Sequence, residues 1–551
     1  MSRSHARTRP RPPAGAASRP ARAKPAPRPP AHAWVLAPAL VVTAAIHWPV
    51  LKMFFAQDDV TFLSRAAGLE PTPWSFARPL SEGIAWRALY AVFGLDAAPY
   101  HAARLGLHLL SVALVYTVGL RLLRSRVAAG GAALLFGASS IAFTPLHWAS
   151  CIVEVLTGTL ALAAFWIWLE ARERASAPLL WVSAATAVAA VLAKETAIVL
   201  PAVFLVAALR GTGRGTAWRS LAPVATLLGL LALAFLATRS RFSYGQYTGG
   251  DAYAMDVSPG HLLANLCTYL RWIVTLTEPI RDRLATADPG ALGAGILVLA
   301  ALAAALAFQL RDERRAAVIG AAWFAAFLLP VLPLAHHTYL YYLYLPWAGA
   351  CWLLAATFEH ATSRLPRALA PALGLVGLAL FVRLEWTNAR ARAGALMFYK
   401  LPADKTVRES LLLANAVAGL RAAHLAPGTR IGFVNPFPQV HVRADGRTVE
   451  SAGDSTRSYV PLEGTMRQGE TLRLFVPGAR YDGFAIVPPA SWNETEMFLY
   501  DIDGRLRAAG HGAPALLAFA ATFERLNRPD VADSLRRRAA ALAGRDAPAG
   551  H

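Results

Sequence analysis

The stretch CIVEVLTGTLALAAFWIWLE, residues 151–170, decides the fold class of this chain. Its acidic residues are Glu154 and Glu170, and the residues between them are apolar, glycine or threonine. An α-helix rises about 1.5 Å per residue, so a stretch of this length spans the roughly 30 Å hydrocarbon core of a bilayer. The stretch therefore predicts a transmembrane helix.

Further apolar runs of similar character are spread along the chain. A bilayer-spanning helix needs about 20 mostly apolar residues, with a range of about 17–25. We therefore predict a polytopic α-helical membrane protein of about 11 spans with a small C-terminal soluble α+β domain. The predicted spans cover residues 34–52, 100–122, 127–144, 151–170, 178–193, 196–210, 219–238, 290–309, 316–334, 339–358 and 367–383.

The composition excludes an ordinary soluble enzyme of this length. Of the 551 residues, 56% are hydrophobic and only 16% are charged, whereas soluble domains average about 25% charged residues. The chain has 54 Lys and Arg against 34 Asp and Glu, a net charge of +20. Binding to nucleic acid would explain such a charge. However, the basic residues lie in an N-terminal tail and at the ends of predicted spans, so no nucleic-acid partner is expected.

The basic residues also predict the orientation, because cytoplasmic loops of membrane proteins carry an excess of Lys and Arg. With the N-terminal tail inside, every alternate short loop is basic. The inner loops contain Arg121, Arg124, Arg126, Arg172, Arg174, Arg210, Arg214, Arg219, Arg311, Arg314, Arg315, Arg364 and Arg367. We expect a cytoplasmic N-terminus and a C-terminal region on the outer side.

Three regions follow from these patterns. Residues 1–33 hold eight basic residues and no acid and predict a disordered cytoplasmic tail. Residues 34–383 form the transmembrane domain, with a first outer loop at 53–99, and residues 384–551 form the outside-facing domain. In that domain we predict strands at 431–434, 439–443, 447–451, 472–476 and 484–487, hairpin turns at Asp445-Gly446 and Asp503-Gly504, and a terminal helix pair at 515–526 and 529–542.

The first outer loop contains the most informative chemistry. Asp58 and Asp59 lie a few residues beyond the first span, at the expected height of the membrane interface. Residues 77–94 carry large apolar side chains at helical spacing, which predicts an amphipathic helix along the bilayer surface. A carboxylate pair held over the membrane suits an enzyme that acts on a lipid-borne substrate. The alternative is that the two acids only cap a loop.

Five segments follow one another in an order that is specific as a set. They are QDDVTFL (57–63), RPLSEGIAWRALYAVFGLDAAPYHAARLGLHLLSVALVY (78–116), ALLFGASSIAFTPLHWASCIVEVLTGTLALAAF (133–165), AVLAKETAIVLP (190–201) and LLPVLPLAHHTYLYYLYLPWAGA (328–350). Together they resemble the bacterial GT-C glycosyltransferases, most closely the branch related to protein O-mannosyltransferases, over about residues 34–383. The resemblance implies that the predicted polytopic α-helical fold of about 11 spans is GT-C-like and that the protein is an enzyme of the bacterial inner membrane. Such an enzyme transfers a sugar from a polyprenyl-phosphate carrier to an acceptor on the outer side, usually with inversion.

By the same resemblance, Asp58 matches the catalytic base and Asp59 its acidic neighbour. An acceptor hydroxyl is a poor nucleophile, so a carboxylate must take its proton as it attacks the anomeric carbon. The departing lipid phosphate requires fixed cations or hydrogen-bond donors. The candidate substrate-binding residues are Arg78, Glu154, Lys194, Glu195, His336, His337 and Tyr339. The expected partners are a polyprenyl-phosphate-linked sugar, membrane lipid and an acceptor protein, lipid or glycan, with no metal or other cofactor.

Several of these residues also have a purely structural interpretation. Lys194 and Glu195 could form a local ion pair at the end of a short helix, although charge at a break within the membrane is costly. Glu154 follows a segment in which Thr144-Pro145 stands where the family usually has His-Pro. Tyr339 precedes a Tyr-rich span, and an aromatic belt at the interface would explain it.

Two other classes of protein stay open at this point. A secondary transporter or lipid flippase typically has an internal repeat relating its two halves and ionisable residues near the bilayer midplane. No convincing repeat is found, and the notable acids cluster at one face. A non-catalytic scaffold would use the C-terminal domain to bind partners. The favoured prediction is a membrane glycosyltransferase with Asp58 as general base.

Overall fold

A computed structural model describes residues 33–71, 78–210, 214–238, 253–275, 289–310, 315–363, 365–366, 369–396, 400–436, 439–442, 448–451, 466–501 and 505–546. Apart from residue 33, the predicted basic tail lies outside these ranges. The helices up to the C-terminal sheet are α1 (Ala33–His47), α2 (Asp59–Ala66), α3 (Trp86–Phe93), α4 (Ala97–Leu122), α5 (Arg126–Ala138), α6 (Phe143–His147), α7 (Ile152–Glu173), α8 (Ala177–Ala193), α9 (Leu200–Leu209), α10 (Arg214–Thr238), α11 (Pro259–Thr275), α12 (Pro289–Leu310), α13 (Arg315–Leu328), α14 (Tyr344–Thr362), α15 (Leu369–Gly394) and α16 (Lys405–Ala422).

Within the described ranges, five helical segments are long and apolar enough to cross a membrane. They are Trp34–Lys52, Ala97–Leu122, Ala149–Glu173, Ala217–Thr238 and Leu369–Gly394. The pair Arg126–Ala138 and Ser140–His147 passes the same test together, with a bend of 41°. Shorter apolar helices cover Ala177–Ala193, Glu195–Leu209, Leu292–Phe308 and Arg315–Val331. Every predicted span overlaps a helix, and the count of about 11 spans stays a prediction.

The bend between α5 and α6 has a local cause. Ser139 adopts an extended conformation, and its hydroxyl accepts a hydrogen bond from Ile141 N at 3.3 Å. The amide of the buried residue Ser140 donates to the buried carboxylate of Glu385 at 2.8 Å. Glu385 lies in α15, which continues to Gly394. This helix therefore extends past residue 383, where we placed the end of the last span and of the transmembrane domain.

Glycines allow α13 and α14 to pack backbone against backbone. A Cβ atom on Gly320 would lie 2.6 Å from the carbonyl oxygen of Gly349. Real Cβ atoms do not approach a backbone oxygen so closely, so neither glycine can be replaced without separating the helices. Small residues at helix contacts are how membrane helices gain van der Waals packing in the absence of a hydrophobic driving force.

The C-terminal domain is built around a mixed sheet. Its strands are β1 (Arg430–Val434), β2 (Gln439–Val442), β3 (Thr448–Ser451), β4 (Arg480–Ala485), β5 (Glu496–Tyr500) and β6 (Leu506–Gly510), and its remaining helices are α17 (Glu470–Phe475), α18 (Gly512–Arg525) and α19 (Pro529–Asp546). The four-stranded sheet has the order β4-β1-β5-β6, in which β1 is parallel to both neighbours and β6 is antiparallel to β5. Strands β2 and β3 form a separate antiparallel pair.

One predicted strand of this domain is wrong. Residues 472–476 were expected to be extended, but Glu470–Phe475 is helical and begins after Gly469, whose φ is +90°. Leu472, Leu474 and Phe475 are buried in this short helix, so their apolar spacing does not come from a strand. Both expected turns, at 445–446 and 503–504, lie outside the described residues. The strands that flank the first turn, β2 and β3, are antiparallel to each other, and so are β5 and β6, which flank the second.

Candidate active site

The two adjacent acids of the first outer loop point in different directions. Asp58 immediately precedes α2 and Asp59 is its first residue. The Asp59 side chain is fully buried and accepts hydrogen bonds from Ala56 N at 2.8 Å, from Ser150 N at 2.6 Å and from the Ser150 hydroxyl. Asp59 therefore anchors the loop to the turn that precedes α7.

Burial raises the pKa of Asp59 from 3.8 to about 6, and the hydrogen bonds from Ser150 and Ala56 and the charge of Arg104 only partly offset it. The folded protein therefore binds the Asp59 proton more tightly than the unfolded chain does. Between about pH 4 and pH 6 the folded state carries more protons, so the free energy of unfolding falls as pH rises through this window. The full effect corresponds to about 3 kcal/mol.

We predict that Asp59→Asn removes this pH dependence. The thermal unfolding midpoint of the detergent-solubilised wild type should fall from pH 4 to pH 7 more steeply than that of the variant, because Asn does not titrate. Asp533→Asn, on α19 with an exposed side chain, should keep the wild-type slope. Equal slopes for Asp59→Asn and the wild type would contradict the assignment of this titration to Asp59.

Asp58 faces the C-terminal domain. Its side chain is about half exposed, and its Oδ1 accepts a hydrogen bond from Arg467 Nη1 at 3.1 Å. The carboxylate is thus accessible to solvent while it is held by a guanidinium from a distant part of the chain. An exposed, oriented carboxylate can accept a proton from an incoming hydroxyl.

A second group of polar residues lies around the break between α8 and α9. Arg78 forms a bidentate salt bridge with Glu195, with Nε–Oε2 at 3.0 Å and Nη2–Oε1 at 2.7 Å. Its Nη1 also contacts Glu82 Oε1 at 3.2 Å. Arg78 has φ of +54°, a left-handed conformation that is uncommon for a residue other than glycine. Two hydrogen bonds in parallel are the strongest geometry in which a guanidinium holds a carboxylate or phosphate.

Lys194 and Glu154 form a buried ion pair beside this contact. Lys194 ends α8 and reaches Glu154 in the first turn of α7, and both side chains are 5% exposed or less. The Lys194 ammonium also lies 4.5 Å from the centre of the Tyr342 ring, a cation–π contact. Lys194 and Glu195 therefore do not pair with each other; each is bound to a residue from a different element.

The segment that contains His336 and His337 lies near the same residues, since Lys194 and Arg78 act electrostatically on His337. His337 lies against the rings of Tyr253 and Tyr339, each with a centroid distance of 4.6 Å. Burial, together with the positive charges of Lys194, Arg78 and Lys405, lowers the pKa of His337 to about 4, so its imidazole is neutral at pH 7. His336 is exposed. Tyr339 stacks on Tyr341 at 5.2 Å, which fits the aromatic-belt interpretation as well as a ligand site.

The helix predicted over 77–94 is partly π-helical. Pro79–Ala85 forms the π-helical turn and leads directly into α3. Ser81 is buried and donates a hydrogen bond to Ala193 O at 2.6 Å, which ties this segment to the end of α8. Ile84 and Val92 are exposed to 61% and 72%, as expected for apolar side chains that face a membrane surface.

The structure thus brings most of the predicted site residues into one polar layer. Asp59 binds Ser150, which lies one turn before Glu154. Glu154 pairs with Lys194. Glu195 follows Lys194 in sequence and pairs with Arg78. Asp58 precedes Asp59 in the chain, and its side chain contacts Arg467. Sequence reasoning missed Ser150, Tyr342 and Arg467. The first two lie within the quoted motifs, but Arg467 is separated from Asp58 by 409 positions and no local pattern identifies it.

Among the described residues, no three or more His, Cys, Asp or Glu side chains come together in a way that could hold a metal ion. The layer contains the cations Lys194 and Arg78, the carboxylates of Glu154 and Glu195, and the neutral imidazole of His337. Such groups can bind an anionic phosphate, orient a sugar and accept a proton.

Comparison with known proteins gives weak likenesses to two solved structures. The structure of ArnT from Cupriavidus metallidurans bound to undecaprenyl phosphate is 14% identical, with 73% of this chain and 82% of that chain covered and a TM-score of 0.41. The arabinofuranosyltransferase AftD from Mycobacteria is 16% identical, with 74% of this chain and 30% of that chain covered and a TM-score of 0.43. No family model and no curated protein matches the sequence. Likenesses at this level leave the family of the chain unassigned.

Proposed function

We propose that this protein is a membrane glycosyltransferase of the GT-C type that uses a polyprenyl-phosphate-linked sugar as donor. One observation carries the proposal. Asp59, the neighbour of Asp58 in the chain, is hydrogen-bonded to Ser150, one helical turn before Glu154, and Glu154 pairs with Lys194 beside the contact of Glu195 with Arg78. The loop that carries the candidate base is thus anchored beside a group of cations that can bind a phosphate.

In the proposed reaction, Asp58 takes the proton of an acceptor hydroxyl as its oxygen forms a bond to the anomeric carbon. The bond between that carbon and the phosphate oxygen breaks, and its electron pair leaves with the lipid phosphate. A single displacement of this kind inverts the anomeric configuration. Asp58 is about half exposed, so it can return its proton to water.

The resemblance of the sequence motifs to the protein O-mannosyltransferase branch extends the proposal. The sugar would be a hexose or pentose, the acceptor a protein, lipid or glycan, and the enzyme would need no metal or other cofactor. With the positive-inside orientation, the N-terminus is cytoplasmic and the C-terminal domain faces the outer side of a bacterial inner membrane.

Mass spectrometry of surface glycans and glycoproteins, in cells with and without the protein, tests the function directly. We expect loss of one sugar modification, restored by the wild-type chain. Purified protein in lipid nanodiscs should then transfer that sugar from its polyprenyl-phosphate carrier and release the lipid phosphate. Movement of the carrier across a bilayer without cleavage would instead show a flippase.

Arg78 is the cation of the layer that is best placed to exchange its partner. Lys194 and Glu154 are buried against each other, whereas the Glu195 side chain that occupies the Arg78 guanidinium is 59% exposed. A phosphate can bind a guanidinium with the same bidentate geometry as a carboxylate. Glu195 therefore competes with the donor phosphate for Arg78.

We expect Glu195→Gln to lower the KM for the lipid-linked donor about threefold to tenfold, which corresponds to roughly 0.6–1.4 kcal/mol, because a neutral amide holds Arg78 less strongly than a carboxylate does. Steady-state kinetics with purified protein measure this change. Glu524→Gln removes a carboxylate from α18, where Glu524 pairs with Arg536, and should leave the KM unchanged. An increased KM in Glu195→Gln would show that Glu195 supports donor binding and would contradict the competition.

A further inference from the structure

The C-terminal domain and α16 pack directly on the loop that carries Asp58. The Phe54 amide donates to the Ser410 hydroxyl at 2.9 Å, and that hydroxyl donates to Phe54 O at 3.1 Å. Gln57 Nε2 contacts Thr406 Oγ1 at 3.3 Å. The backbone just before the acid pair is thus held by α16, which leads into the C-terminal sheet.

Helix α17 and the residues before it make a second set of contacts with the same loop. Thr61 donates to Glu470 Oε2 at 3.0 Å, and Arg473 contacts Glu70 Oε1 at 3.3 Å. Arg467 contacts Asp58 Oδ1 at 3.1 Å and Glu470 Oε2 at 3.4 Å. Arg467 therefore links the candidate base to α17 itself.

Apolar side chains also pack between the first outer loop and the helices α16 and α17. Leu413 and Val417 from α16 and Leu474 and Phe475 from α17 are buried in one cluster with residues of the first outer loop. The loop residues of this cluster include Phe55, Val60, Leu63 and Trp86. A shared core of this kind fixes the position of α17 relative to the loop.

The backbone at Arg467 is also held in an unusual conformation. Its φ is +43°, and that of Gly469 two residues later is +90°. A non-glycine residue in the left-handed region persists only where its surroundings over-determine it. The apolar contact and the Glu470 carboxylate supply those surroundings here.

We propose that Arg467 is a positioning residue for Asp58, so that the C-terminal domain completes the active site; the proposal rests on the role of Asp58 as general base. The guanidinium binds Oδ1 and directs Oδ2 toward the acceptor hydroxyl. The proton of that hydroxyl moves to Oδ2, and the bond changes are those of the displacement described above. Arg467 exchanges no proton and contacts neither donor nor acceptor.

The test compares Arg467→Gln and Arg467→Lys with Arg473→Gln in the full chain. Arg473 lies on α17, shortly after Arg467, and also pairs with the first outer loop, but at Glu70. We expect Arg467→Gln to lower kcat about 100-fold with little change in the donor KM, because a misoriented base affects the transition state rather than donor binding. Arg467→Lys should recover part of the rate, and Arg473→Gln should behave as wild type.

A double variant separates positioning from a structural role. In the Asp58→Asn background, Arg467→Gln should cause no further loss of kcat, since the group that it positions is already absent. Exposed ion pairs contribute little to stability, so the unfolding midpoint of Arg467→Gln should stay near that of wild type. A wild-type or increased kcat for Arg467→Gln, with Asp58→Asn inactive, overturns the positioning role alone. Near-normal activity of Asp58→Asn overturns the base assignment on which it rests.

Discussion

The Asp58→Asn variant is expected to fold, to bind the lipid-linked donor and to lose about 10²–10⁴-fold in kcat, the contribution typical of a general base. Asn has nearly the same shape as Asp but cannot accept the proton of the acceptor hydroxyl. The Asp58 side chain is about half exposed and contacts Arg467, so its replacement leaves the buried core of the loop intact. A strong effect on kcat with a small effect on donor KM would identify the step that Asp58 serves.

The measurement is transfer of a labelled sugar from its polyprenyl-phosphate carrier by purified wild type and variant in nanodiscs. Asp533→Asn, at an exposed position of α19, serves as a control for the chemical change alone. Donor binding, followed by quenching of Trp fluorescence, should be similar in all three proteins. Transfer by Asp58→Asn within about threefold of wild type, well short of the effect typical of a general base, would remove Asp58 as the base and leave the identity of the base open.

The transmembrane helices and much of the polar layer could be predicted because their signals are local. A run of apolar residues identifies a span without knowledge of its neighbours. Lys194 and Glu195 could be identified because a charged residue at the junction of two apolar runs is costly unless it pairs with another group or serves a function. What the sequence could not show is their pairing: a local ion pair was one alternative, and the structure instead pairs Lys194 with Glu154 and Glu195 with Arg78.

The separate roles of Asp58 and Asp59 could not be predicted for a geometric reason. Successive residues at the start of a helix differ by about 100° around its axis, so one carboxylate can face the protein interior while its neighbour faces solvent. Which of the two is buried depends on Ser150, which lies 91 positions away. The contact of Asp58 with Arg467 depends in the same way on the packing of α17, a helix that the sequence pattern presented as a strand.

The Lys194→Met variant should be strongly destabilised, by about 3–5 kcal/mol, because it leaves the Glu154 carboxylate buried without its partner. The two side chains are 5% and 4% exposed, so water cannot replace the lost ammonium. The double variant Lys194→Met/Glu154→Gln should recover most of this loss, since neutral groups of similar volume can replace a buried ion pair at little cost. Thermal unfolding midpoints in detergent measure both effects.

Activity of the double variant then decides what the buried pair does. If Lys194 stabilises the charge that develops on the leaving phosphate, a well-folded double variant should still transfer sugar at least about 100-fold more slowly than wild type. Arg78 remains in this variant, so donor binding should persist and the loss should fall mainly on kcat. Recovery of both stability and activity would instead show that Lys194 and Glu154 serve only to join α8 to α7, and that the phosphate is held by Arg78.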